Sequence, residues 1–142
     1  MMTEPQPAKG KKILVLDDEP HVVTYLETLL HDNGYETISA SDGKEGIEKV
    51  RSEGADLVCL DISMPEHSGI RFYRDLKDDP ELSAIPVVIV TAVTGKGGDP
   101  EQFRRFISTR KQVLPPEGFL AKPIDKQEFL DTIARILSSA RS

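Results

Sequence analysis

The chain has 142 residues and a mass of 15.7 kDa, enough for one domain with its own core and too little for two. Its 18 Lys and Arg against 24 Asp and Glu leave a net charge of −6, which argues against a protein that coats nucleic acid, because phosphate binding relies on clustered positive charge. The lone cysteine, Cys59, excludes an internal disulfide and a cysteine-based zinc site, and no stretch approaches the roughly 20 apolar residues of a membrane span.

Residues 1–11 hold Pro5, Pro7 and Gly10 among polar neighbours and read as a disordered lead-in to a domain over 12–140. The opening MMTEPQPAKGKK has charge with no apolar core behind it, so it is not a signal peptide, and a cytoplasmic setting is expected. Ile13-Leu14-Val15-Leu16 is a continuous apolar run that ends in Asp17-Asp18-Glu19-Pro20. A short run without alternation predicts a strand buried on both faces, as in a parallel sheet. Pro20 suits the first turn of a helix, and Val22, Leu26, Leu29 and Leu30 give it an apolar stripe up to Asn33-Gly34. Thr37–Ala40 is a more polar strand, expected near an edge. Asp42 and Glu45 predict a capping box for a helix through about Ser52, with Ile47 and Val50 inward.

Leu57-Val58-Cys59-Leu60 is the next buried strand and ends in Asp61; buried there, Cys59 reads as a small hydrophobe. Ser68 is the expected N-cap of a helix carrying Ile70, Phe72, Tyr73 and Leu76. Val87-Val88-Ile89-Val90 is the fourth strand, ending at Thr91. Phe119-Leu120-Ala121 is a short fifth, before Lys122-Pro123. Asp125 and Glu128 then open a final helix with Phe129, Ile133, Ile136 and Leu137 at helical spacing. Between Thr94 and Glu117 lies an extended region with one short amphipathic helix around Phe103, Phe106 and Ile107. Strands alternating with helices predict a doubly wound α/β domain.

In such a sheet ligands bind beyond the carboxyl ends of the strands. Asp17 and Asp18, Asp61, Thr91 and Lys122 all fall at those ends. Carboxylates brought together raise one another's pKa unless a cation neutralises them, and an all-oxygen set with open positions suits Mg²⁺. Lys122 offers an ammonium to a phosphate and Thr91 a hydroxyl. A carboxylate so placed can attack a phosphoryl group and become an acyl phosphate. Asp61 is the expected nucleophile, because Ser63-Met64-Pro65 and Ser68-Gly69 shape a loop behind it; Gly69 is expected in a backbone conformation closed to other residues.

ILVLDDEP, LVCLDISMPEHSG, PVVIVTA and FLAKPID, in this order and in these contexts, resemble the receiver domain of two-component response regulators over Lys12 to Ser139. The resemblance implies a five-stranded flavodoxin-like sheet of order 2-1-3-4-5. It also implies that Asp61 accepts phosphate from a histidine kinase or histidine phosphotransfer protein. Asp18, Asp61 and the Ser63 backbone carbonyl would ligate Mg²⁺, with Asp17 acting largely through water. Thr91 would turn toward the phosphoryl group, Lys122 would pair with it, the Lys122–Pro123 bond would be cis, and Phe119 would change rotamer on activation. Such a protein is not an enzyme beyond its own phosphorylation and dephosphorylation. With no effector domain after Ser142, output is expected through a protein partner or a self-dimer. The surface concerned is the face built by the helix of the 94–117 region, the fifth strand and the final helix, with no direct contact to nucleic acid or membrane.

Two other classes share these residues. A phosphate-independent scaffold of the same fold would be expected to lose one of the five site residues, and all five are present. A Mg²⁺-dependent aspartyl-phosphate phosphohydrolase needs an acid–base Asp two positions after Asp61, where Ser63 stands. The stretch from Thr91 to Lys122 is longer than the family usually shows, so the output face is expected to be reshaped. Ser63 and Val93 flank the expected path of the hydrolytic water, and Val93 cannot orient water. Slow self-dephosphorylation follows: the phosphorylated form should outlive that of a Val93→Glu variant when both are timed by loss of the label.

Overall fold

The computed structural model describes residues 10–62, 64, 68–92 and 117–140. In chain order these form β1 (Lys12–Leu16), α1 (Pro20–Asp32), β2 (Glu36–Ala40), α2 (Gly43–Glu53), β3 (Leu57–Asp61), α3 (Ser68–Asp78), β4 (Val87–Ala92), β5 (Gly118–Lys122) and α4 (Lys126–Ala140). The short helix expected around Phe103–Ile107 lies outside the described residues. The strands form one parallel sheet of order β2-β1-β3-β4-β5, the doubly wound arrangement that the alternation predicted.

The continuous apolar runs are explained by the two-residue period of a strand, which feeds both faces. Leu14, Leu16, Val58, Leu60, Val87 and Ile89 point to one face, where they meet Val50 of α2 and Phe72, Tyr73 and Leu76 of α3. Ile13, Val15, Leu57, Cys59 and Val88 point to the other, against Leu26, Leu29 and Leu30 of α1 and Phe129, Ile133, Ile136 and Leu137 of α4. The more polar β2 is an edge strand. Cys59 is buried, and burial pushes its thiol up to about 12.

Helix ends follow the sequence with two adjustments. Pro20 opens α1, and Gly34, at a φ of +90° that side chains resist, turns the chain out of it. Asp42 caps α2 by accepting from the Glu45 N–H at 2.8 Å, but the Glu45 carboxylate reaches past it to the Ser41 N–H at 2.9 Å. Asp125 caps α4 by accepting from the Glu128 N–H. Ser68, expected as a cap, lies within the first turn of α3 and its hydroxyl accepts from the Gly43 N–H at 2.9 Å. That bond ties the starts of α2 and α3 together. No helix among the described residues is long and apolar enough to cross a membrane.

A buried lysine closes the amino end of the sheet. Lys77, on α3, donates to the carbonyls of Ser83 (3.1 Å) and Ile85 (2.9 Å), and its ammonium lies 5.7 Å from the Tyr73 ring centre. Burial pulls its pKa down, opposed by Glu117, which also accepts from the Val87 N–H. Lys77→Met keeps the stem and removes the donor, leaving two carbonyls unserved. It should cost about 1–3 kcal/mol in chemical denaturation, with far-UV dichroism unchanged.

Candidate functional site

Register decides which side chains converge. In the β1–β3 ladder Leu16 pairs with Leu60, so the next residues, Asp17 and Asp61, leave the sheet side by side. Asp61 in turn pairs with Val90 of β4, and Ala92 with Lys122 of β5. Adjacent parallel strands thus deliver their terminal polar residues to one edge.

There, one carboxylate oxygen from each of Asp17, Asp18 and Asp61 lies within 4.8 Å of the others. Asp17 and Asp61 are each only 3% exposed, while Asp18 faces solvent. The Lys122 ammonium sits among them, 3.4 Å from Asp17 Oδ2, 3.6 Å from Asp61 Oδ2 and 3.8 Å from Glu19 Oε1. Asp17 Oδ1 also accepts from the Glu19 N–H at 2.9 Å. Burial, and then repulsion from Asp61, raises the Asp17 pKa from 3.8 to about 6 despite the Glu19 N–H and Lys122. Burial pulls Lys122 down, yet Asp61, Asp17 and Glu19 together hold it above its ordinary value. Four carboxylates against one ammonium leave excess negative charge in a partly desolvated place. An all-oxygen cluster with a solvent-facing member fits a hard divalent cation, which would relieve it. A cleft of about 300 Å³ bordered by Asp17, Asp18, Ser41, Glu45 and Lys49 opens beside the cluster.

Among the expected site residues, the structure brings Asp17, Asp18, Asp61 and Lys122 together. Thr91, expected to end the fourth strand, is the penultimate residue of β4, opposite Ala121, its side chain outside the described part. Ser63 and Val93 lie outside the described residues. Phe119 is half-buried against the α2–α3 face of the core, and the Lys122–Pro123 bond is cis. Gly69 corrects the sequence reading. Its φ is not among the positive ones; glycine is required because a Cβ there would stand 2.6 Å from the Asp61 carbonyl oxygen and 2.9 Å from Ile62 Cα. Glu19 was not singled out from the sequence. Its signal was a Glu immediately before a helical Pro, where a short capping residue is usual.

A model of the response regulator receiver domain matches residues 13–134. The chain belongs to that family. The polar-differentiation response regulator DivK of Brucella anthropi is 35% identical over 130 residues, covering 92% of this chain and 98% of that one. The signal receiver domain of a signal transduction histidine kinase from Syntrophus aciditrophicus superposes with a TM-score of 0.76 at 28% identity over 92% of each chain. The receiver domain of a sensor histidine kinase from Pseudomonas aeruginosa, whose structure has magnesium coordinated in its active-site cleft, superposes with a TM-score of 0.76 at 22% identity. That match covers 91% of this chain and 98% of that one. The family places the chain in two-component signalling, where receiver domains act as phosphorylation-activated switches.

The crowding in this receiver domain has a pH signature. With its native pKa raised, Asp17 binds a proton more tightly folded than unfolded, so stability falls as pH rises from about 4 through about 6. The loss is on the order of 2–3 kcal/mol. In urea unfolding with chelator present, the stability of wild type relative to Asp17→Asn should fall by about that amount between pH 4 and pH 7. Added Mg²⁺ should shrink the fall. A constant difference across the range would contradict the assignment.

Proposed function

We propose that this receiver domain accepts a phosphoryl group on Asp61 from a histidine kinase or histidine phosphotransfer protein in a Mg²⁺-dependent reaction in the cytoplasm. The observation that carries this reading is the buried Asp61 carboxylate, 3.6 Å from the Lys122 ammonium and within 4.8 Å of Asp17 and Asp18. Asp18, Asp61 and the Ser63 carbonyl would hold the cation, with Asp17 acting through water. When bound, Mg²⁺ supplies charge neutralisation for the carboxylates and the phosphoryl oxygens.

The residues divide the remaining work. An Asp61 oxygen attacks phosphorus, the phosphorus–nitrogen bond of the phosphohistidine breaks, and its electron pair returns to the imidazole, which takes up a proton. Lys122 turns its positive charge from the carboxylates to the new phosphoryl oxygens. Thr91, next to the last residue of β4, supplies a hydroxyl to one of them, and Phe119 on β5 follows by changing rotamer. Gly69 keeps α3 close against the Asp61 backbone, so the nucleophile sits on a fixed base. Output passes to a protein partner or a second copy, through the face of β5, α4 and the helix expected from the sequence within 94–117. The domain, over 12–140, catalyses only its own phosphorylation and dephosphorylation.

Intact-mass spectrometry after incubation with a small phosphodonor and Mg²⁺ tests this directly. Wild type should gain one phosphoryl group, and the gain should vanish with chelator and in Asp61→Asn. No adduct, together with undetectable Mg²⁺ binding, would instead support a phosphate-independent scaffold.

A further inference from the structure

Glu19 occupies the N-cap position of α1 but makes no side-chain cap hydrogen bond. The Val22 and Val23 N–H groups go to its backbone carbonyl instead, and Pro20 has no N–H to offer. The side chain is therefore released from the usual duty of that position, and it extends to the Lys122 ammonium at 3.8 Å. Its exposure sets it apart. The Glu19 side chain is 61% exposed, against 2% and 3% for those of Asp17 and Asp61. Of the three carboxylates within 4 Å of the Lys122 ammonium it is the exposed one, and with Asp18 it stands on the solvent side of the cluster, the side open to an incoming phosphodonor.

A fixed negative charge there does nothing to a neutral donor and repels an anionic one, more strongly for each charge the donor carries. We propose that Glu19 selects phosphoryl donors by charge, disfavouring small dianionic acyl phosphates relative to N-phosphoryl donors of lower charge. This rests on Asp61 being the phosphoacceptor. With either donor a phosphorus–oxygen bond forms at Asp61 and the bond to the leaving group breaks. The electron pair departs with acetate from acetyl phosphate, or with the nitrogen of phosphoramidate, which is protonated and leaves as ammonia. The selection acts on approach, so it appears in the second-order rate constant.

The test compares acetyl phosphate and phosphoramidate on the same preparations of wild type, Glu19→Gln and Glu19→Asp with Mg²⁺ present. Because both donors report on one sample, loss of folded protein cancels from their ratio. Glu19→Gln should raise the acetyl phosphate rate relative to the phosphoramidate rate by about two- to fivefold, the size of one added charge interaction at 4–8 Å in water. Glu19→Asp should keep the wild-type ratio. The difference between wild type and Glu19→Gln should close at high ionic strength, as a screened interaction must. An unchanged ratio in a wild type that is labelled on Asp61, or a change that persists in high salt, overturns the role of Glu19 alone. Failure of both donors to label wild-type Asp61 overturns it together with the reading of the site.

Discussion

The organising constraint is an imbalance of charge at one edge of the sheet. Three strands that are apolar on both faces can carry polar residues only where they end, and parallel register brings those ends together. Asp17 and Asp61 leave the sheet as neighbours because Leu16 and Leu60 are paired behind them. Lys122 arrives from β5 across Ala92. The result is a buried pair of carboxylates, two outer ones at Asp18 and Glu19, and one ammonium. Burial, and then a like charge so close, raise the cost of ionisation, which is why the Asp17 pKa is pushed up to about 6.

The scaffold behind Asp61 is packed without slack. The backbone at Gly69 comes so near the Asp61 carbonyl that a methyl group would overlap it, and Gly43 meets Ser68 in the same way, with a Cβ at 2.9 Å from the Ser68 carbonyl oxygen. The Ser68 hydroxyl then accepts from the Gly43 N–H. Asp61, the start of α3 and the start of α2 form one contiguous contact. Close-packed interiors transmit strain because they deform poorly, so a receiver domain built this way has a mechanical route from the site to two helices that the sheet topology alone does not provide.

Much of this was legible in the sequence, for physical reasons. Each buried strand announces itself by an unbroken apolar run, and each site residue by interrupting one, so Asp17, Asp61 and Lys122 could be placed at the edge before their distances were known. Asp42 and Asp125 act as caps as their spacing indicated. What escaped was tertiary. Ser68 has the chemistry of a cap, but its partner, Gly43, is 25 residues away in the chain. Gly69 looked like a turn glycine because sequence cannot distinguish a φ requirement from a steric one. Lys77 was not singled out, and only the fold brings the Ser83 and Ile85 carbonyls to it. Glu19 was hidden in an acidic run whose members differ only in exposure.

The two ends of the sheet treat charge in opposite ways. At the amino end, Lys77 is met by two carbonyls, Asp56 accepts from the Lys12 N–H, and Glu117 accepts from the Val87 N–H. These groups are matched by partners within the chain and serve to hold loops against the strands. At the carboxyl end the chain supplies more negative charge than it neutralises. A protein selected for stability alone would replace Asp17 with a neutral residue, since its ionisation opposes folding near neutral pH. Keeping it makes the native state respond to what binds there. A cation bound there would lower the repulsion, and a phosphoryl group would compete for Lys122 with the carboxylates it now bridges. The energy of either event therefore depends on the conformation of this edge, and a ligand can shift a conformational equilibrium only through such a difference.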